Sequence, residues 1–258
     1  MTTTPELAEL TENTTSPDGG PTVALVTGAN KGIGRETVRR LLALGWTVWL
    51  GARDADRGDR AVRELTDAQP GADVRFVQLD VTSDASVTDA VARIEAESGR
   101  LDVLVNNAGI GGGFVGPREA TAADFVAVYG VNLLGPVRVT HAFLPLLDRS
   151  ERPRIVMVSS GMGSFGVTTD PDRIESSLHS PVYQSSKAAL NMVTSQLAKS
   201  LDRYQVTAVD PGYTATDLNG HGGPQTVEEG AESVVLAATF PPEAPTGRFV
   251  DRHGPLPW

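Results

Sequence analysis

From residue 22 onward the sequence alternates short apolar runs rich in β-branched residues with longer stretches whose apolar residues recur at helical spacing. Few architectures accept this alternation. The runs "TVALVTG", "TVWLGAR", "VRFVQLDV", "LDVLVNN", "RIVMVSS", "VTAVDPG" and "GRFVD" read as strands. The segments between them, among them "IGRETVRRLLALG" and "PVYQSSKAALNMVTSQLAKSLDR", read as helices. Strands apolar on both faces need cover on both sides, which crossover helices on a parallel sheet supply. The expected fold is therefore α/β, a doubly wound parallel seven-stranded sheet in a single domain over residues 21–258, with ligand bound beyond the C-terminal strand ends where strand order reverses. A length of 258 residues with 40% hydrophobic content suffices for one such core. Residues 1–20, "MTTTPELAELTENTTSPDGG", have too little apolar surface to offset ordering entropy, and a mobile tail is expected there.

Charge and composition narrow the partners. The formal net charge of −10 repels nucleic acid and anionic membranes, so a small-molecule substrate is expected. The chain has no cysteine and no secretory start, and no apolar run approaches the ~18–20 residues of a membrane span. A cytoplasmic location follows as an expectation. Four scattered histidines lack metal-ligand spacing, so no metal is expected.

The first strand runs into "TGANKGIG", which places Gly28, Gly32 and Gly34 between strand and helix. Glycine lets backbone amides and the helix N-terminus approach a pyrophosphate, and Asn30, Lys31 and Ile33 belong to the same turn. The spacing fits neither G-x-G-x-x-G nor a Walker A pattern. Asp80 and Val81 after the third strand, and Asn107, Ala108 and Gly109 after the fourth, supply further edges of a dinucleotide site. An Asp at such a point also serves as a turn former. The second strand ends at Arg53 where NAD sites tend to carry an acid, and Lys31 lies opposite in the glycine turn; this favours NADPH/NADP+. Asp54 reads as the N-cap of the next helix.

Ser160 follows the fifth strand, and Tyr183 and Lys187 are four apart on a helix, so both project from one face. Only three lysines occur, Lys31, Lys187 and Lys199, against nineteen arginines, which argues that Lys187 is required as a compact ammonium. Such an ammonium is expected to draw the Tyr183 phenol down from ~10, each unit requiring about 1.4 kcal/mol. Together the three residues describe carbonyl reduction, with Tyr183 as general acid and Ser160 polarising the carbonyl. Phe114, Met162, Phe165, Tyr213 and Leu218, from loops after the strands, are expected to form an apolar, uncharged substrate pocket, with Arg118 the first suspect should a base line it after all.

"TGANKGIG", "NNAG", the Asn132 of "NLLG", Ser160, "YQSSK" and "PGYTAT", in this order, resemble the short-chain dehydrogenase/reductase family over the chain from residue 22. The wording of "VALVTGANKGIG" and the C-terminal region is similar to its monomeric carbonyl reductase branch. The resemblance implies that Asn132 supports a water linking Lys187 to solvent, and that Lys187, beside Tyr183, bonds the nicotinamide ribose. It also implies that "PGYTAT" lends Pro211, Gly212, Thr214 and Thr216 to the cofactor. The interval from Ser160 to Tyr183 is longer than in short tetrameric members and shorter than in monomeric reductases, so monomer, homodimer and homotetramer stay open. Two alternatives also stay open: an alcohol dehydrogenase working oxidatively, and a dinucleotide-sensing regulator without turnover.

Overall fold

A computed structural model describes residues 19–258. Residues 1–18 of the expected tail lie outside the described residues. Eight strands form one sheet: β1 (Val23–Val26), β2 (Thr47–Ala52), β3 (Val74–Gln78), β4 (Val103–Asn106), β5 (Arg154–Val158), β6 (Gln205–Val209), β7 (Arg248–Asp251) and β8 (Gly254–Pro255). Their order is β3-β2-β1-β4-β5-β6-β7-β8. All neighbours pair in parallel except β7 and β8. The expected count of seven thus becomes eight. The two-residue β8 contains a proline and follows a tight turn in which the Asp251 carboxylate accepts from His253 and Gly254 N–H, leaving no periodic signal to read.

Alternation within the strands builds two apolar layers. Ala24, Val26, Val103, Val105, Val156 and Val158 face α1 (Gly32–Ala43), α2 (Ala55–Ala68) and α8 (Val227–Ala238). Val23, Leu25, Leu104, Ile155 and Met157 face α3 (Asp84–Ser98), α5 (Gly135–Leu147) and α7 (Pro181–Ser200). Leu104, fully buried in a central strand, tests this layering: Leu104→Ala should cost about 2–5 kcal/mol in denaturant unfolding. A loss below about 1 kcal/mol would place that layer elsewhere.

The segment 122–147 runs as one helical stretch of 26 residues, with α4 (Ala122–Tyr129) joined to α5 by a π-turn over Gly130–Leu134. By length and composition it could cross a membrane. Its Val128, Val139, Phe143, Leu146 and Leu147 are buried within the domain, although most of the stretch is not. The π-turn sets Asn132 inward, where its side-chain amide accepts from Ile110 N–H at 2.9 Å and donates to Ile110 C=O at 2.9 Å. A short helix α6 (Phe165–Thr168) follows the turn after β5. Because the chain winds outward from β1 to β3 and returns at β4, a cleft opens at the C-terminal ends of β1 and β4.

Candidate active site

That cleft has a volume of about 1100 Å³, enough for a dinucleotide with a small substrate beside it. At one end stands the glycine turn. Gly28 has φ +63°, and a Cβ there would lie 2.9 Å from Ala108 Cα, so only glycine lets β1 and β4 end this close together. Asn107 fastens the two ends: its Nδ2 donates to Thr27 C=O at 2.8 Å, while the Thr27 hydroxyl accepts from the N–H groups of Asn107 and Ala108. Thr27 carried no signal in the sequence beyond its place next to the glycine. Asn106 points away from the cleft toward Thr140 and Met157. The N-terminus of α1 opens into the cavity at Gly32, Ile33 and Gly34, with Asn30, Asp80, Val81 and Gly109 along the same wall. Asp80 is a turn former here, accepting from both the N–H and the hydroxyl of Thr82; burial works to raise its carboxyl, but those bonds together with Arg53 and Arg138 hold it low.

Arg53 lines the cavity beyond β2, and Asp54 caps α2 by accepting from Arg57 N–H at 3.0 Å. Lys31 does not stand free as a second cation: its ammonium is paired with Asp217, which also bonds His221. Arg57, which the sequence reading passed over, lines this end as well.

At the other end, Ser160 ends the run of β5 and caps the following turn, accepting from Met162 N–H at 3.2 Å. A Cβ on Gly163 would meet Lys187 Cβ at 2.7 Å, so this turn lies directly on α7. α7 brings up Tyr183 and Lys187, both buried. Ser160 stands beside the Tyr183 hydroxyl at the cavity wall and acts on it as a hydrogen-bonding partner. Lys187 Nζ donates to Val158 C=O at 2.8 Å and lies 5.7 Å from the Tyr183 ring centre. Burial lowers the ammonium to about 8, against an opposing pull from Asp210. Burial raises the Tyr183 hydroxyl, Asp210 adds to that, and the Ser160 bond opposes it. The expected lowering of Tyr183 by Lys187 is therefore reversed, because the phenol sits in dry surroundings and the ammonium is turned toward a backbone carbonyl.

Asn132, fully buried, has its amide taken up by Ile110 and by Ser186 Oγ at 3.2 Å. Gly109 lies between it and Lys187. Pro211, Gly212, Thr214 and Thr216 line the cavity, and Thr216 also caps the turn Asp217–Asn219.

Of the expected substrate contacts, Phe114, Met162, Tyr213 and Leu218 line the cavity. Phe114 sits at φ +49°, strained for a bulky residue, and its ring packs on Tyr183 at 5.2 Å. Phe165 is absent from the cavity wall: it is 76% exposed at the start of α6, which Ser164 caps. Arg118 is exposed and absent from the cavity wall. The long interval before Tyr183 folds over the cleft instead of looping away, and contributes Ile174, Glu175, Leu178, His179 and Ser180. The pocket is thus not free of charge, since Glu175 and Asp210 both line it. Sequence periodicity could not place either residue there. Among the described residues no group of three metal-ligating side chains gathers.

A doubly wound sheet whose cleft leads from a glycine turn to Ser160 and the buried pair Tyr183 and Lys187 defines a Rossmann-type oxidoreductase acting on alcohol or carbonyl groups. The family profile described as short chain dehydrogenase matches residues 22–226, and the chain belongs to that family. It is 36% identical to a (+)-neomenthol dehydrogenase of Arabidopsis thaliana, over 90% of this chain and 96% of that protein. Salutaridine reductase from Papaver somniferum has a similar structure, with TM-score 0.78 and 31% identity, over 88% of this chain and 99% of the other. The NADPH-bound carbonyl reductase from chicken fatty liver aligns with TM-score 0.80 and 28% identity, over 92% and 98% of the two chains.

Proposed function

We propose that the protein is an NADPH-dependent carbonyl reductase acting on neutral, apolar ketones or aldehydes. The observation that carries this reading is that Ser160, Tyr183 and Lys187 line one end of a dinucleotide-sized cleft together, with Lys187 Nζ 5.7 Å from the Tyr183 ring centre. The cofactor fits this chain: the α1 N-terminus faces the cavity at Gly32, where a Cβ would meet only Thr216 at 3.7 Å, and Arg53 with Arg57 offers charge to a 2′-phosphate. A bound nicotinamide dinucleotide would supply the hydride. Ser160 donates to the carbonyl oxygen and polarises it. As the carbonyl carbon accepts the hydride pair, the π electrons move onto oxygen, which takes the proton from Tyr183. The phenolate left behind is opposed by its dry surroundings, and the neighbouring ammonium limits that cost until a proton returns. Protonated Tyr183 is the form that burial favours.

The apolar wall of Phe114, Met162, Ile174, Leu178, Tyr213 and Leu218 suits a neutral substrate, and Glu175 makes a carboxylate unwelcome. The test is NADPH consumption with a panel of ketones and aldehydes, including an aryl ketone ester and its free acid. The ester should be favoured by at least about tenfold in kcat/KM, roughly 1.4 kcal/mol. A better free acid would overturn the neutral-substrate reading.

A further inference from the structure

Glu175 and Ser180 belong to the segment that folds over the cleft between Ser160 and Tyr183, and neither has a part in the chemistry above. The segment is fastened at both levels. Within it, Ser176 N–H donates to Arg173 C=O at 3.2 Å and Leu178 N–H donates to Glu175 C=O at 3.2 Å, which closes the 3₁₀ turn Ile174–Ser177. Gln184, next to Tyr183, then ties it to α7: its Nε2 donates to Leu178 C=O at 3.1 Å, and its Oε1 accepts from Ser180 N–H at 3.1 Å. The Glu175 side chain is 17% exposed and lines the cavity, where its two oxygens have different surroundings. Oε2 lies 3.8 Å from Arg173 Nε, an ion pair too long for a hydrogen bond, and Arg173 is off the cavity wall. Oε1 is 3.0 Å from the point a Cβ on Gly161 would occupy, so it packs against the residue after Ser160, and among the described residues no N–H or O–H donates to it. Ser180, 3% exposed, lines the same cavity, and its Oγ has no hydrogen-bond partner among the described residues. A carboxylate oxygen and a hydroxyl held unbonded in a largely apolar wall cost free energy, so they mark a place where a ligand brings the missing partner.

We propose that Glu175, together with Ser180, forms a subsite for a hydroxyl group on the substrate, so that the preferred substrates are neutral ketones or aldehydes carrying an O–H away from the carbonyl. This deepens the proposed function and rests on it. With the carbonyl at Ser160, a hydroxyl on the same apolar frame donates to Oε1 beside Gly161, a bond strengthened by the charge of its acceptor. The Ser180 hydroxyl can in turn donate to the substrate oxygen. Arg173 already offsets the carboxylate from its outer side, so a neutral donor, and not a second cation, suits the inner oxygen.

The test is a matched pair of aryl ketones, one with a hydroxymethyl group on the ring and one with an ethyl group in its place, at the meta and at the para position. The two groups are close in size, and the methylene keeps the carbonyls electronically alike. With NADPH and the unmodified protein, the hydroxymethyl ketone should be favoured by about tenfold in kcat/KM at one position or both, although its greater hydration opposes entry into an apolar pocket. Glu175→Leu should bring that ratio to one or below, and Glu175→Gln, which keeps an acceptor oxygen without the charge, should give an intermediate ratio. Calorimetric binding of each ketone to the unmodified protein with NADP+ should show the same preference without turnover and without any variant. An ethyl ketone that is equal or better at both positions, or a preference that survives Glu175→Leu intact, would overturn the inference. So would an aminomethyl ketone that outdoes the hydroxymethyl one, since the subsite would then be a cation site. A protein that binds with this preference yet reduces no ketone fails the proposed function alone, and one that reduces ketones without the preference fails this inference alone.

Discussion

Tyr183→Phe should lower turnover with NADPH and a ketone by about 10² or more, roughly 2.7 kcal/mol of transition-state stabilisation, while dinucleotide binding persists. The substitution keeps the ring that packs against Phe114 and removes only the hydroxyl. Fold and cofactor cradle should therefore be unaffected, and the loss should fall on kcat. Lys187→Arg should also impair turnover although charge is conserved, because a planar guanidinium cannot occupy the buried position from which Nζ reaches Val158 C=O. Steady-state kinetics with a parallel NADPH titration checks both. Retention of more than about a tenth of the rate in Tyr183→Phe would mean that another group delivers the proton.

Arg53→Asp should erase or reverse the cofactor preference. The unmodified protein is expected to favour NADPH over NADH by at least about tenfold in kcat/KM, about 1.4 kcal/mol, through charge-assisted bonds to a 2′-phosphate. The structure sharpens the choice of residue. Lys31 is already paired with Asp217 and Asp54 is engaged as a helix cap, so Arg53 is the side chain at the end of β2 best placed to decide. Arg57 should retain a smaller share. Equal efficiency of the unmodified protein with NADH would sink the assignment.

The fold was legible because parallel strands buried on both faces have to be apolar runs of limited length, and β1, β4 and β5 are such runs. The glycine turn and the Tyr183–Lys187 spacing were legible for a similar reason: each is a local pattern whose geometry follows from a strand end or a helix turn. What escaped depends on contacts between segments distant in sequence. Lys31 and Asp217 are 186 residues apart, and nothing local to either announces the pair. Phe165 stands five residues after Ser160, and its exposure at the start of the Ser164-capped α6 has no sequence signal. Glu175 reaches the cleft because its segment folds back over it, and Asp210 because β6 lies beside β5 in the sheet. The Tyr183 hydroxyl is raised where a lowering was expected because burial, which a sequence does not display, and Asp210 both raise it, with only Ser160 opposing.

The π-turn before α5 makes this stretch sensitive to length in a way that helical propensity is not. A chain one residue shorter between Thr121 and Gly135 could close the turn into regular α-helix without any loss of backbone bonding. Each residue of α-helix advances the face by about 100°, so the side chains on one side of the deletion would be carried that far around the axis relative to those on the other. Asn132 would then lose its two-way bond to Ile110, and the strand-end backbone beside Gly109 and Lys187 would lose its brace, although every residue of the Ser160–Tyr183–Lys187 cluster remained in the chain. The segment acts as a spacer whose residue count matters along with the identity of Asn132.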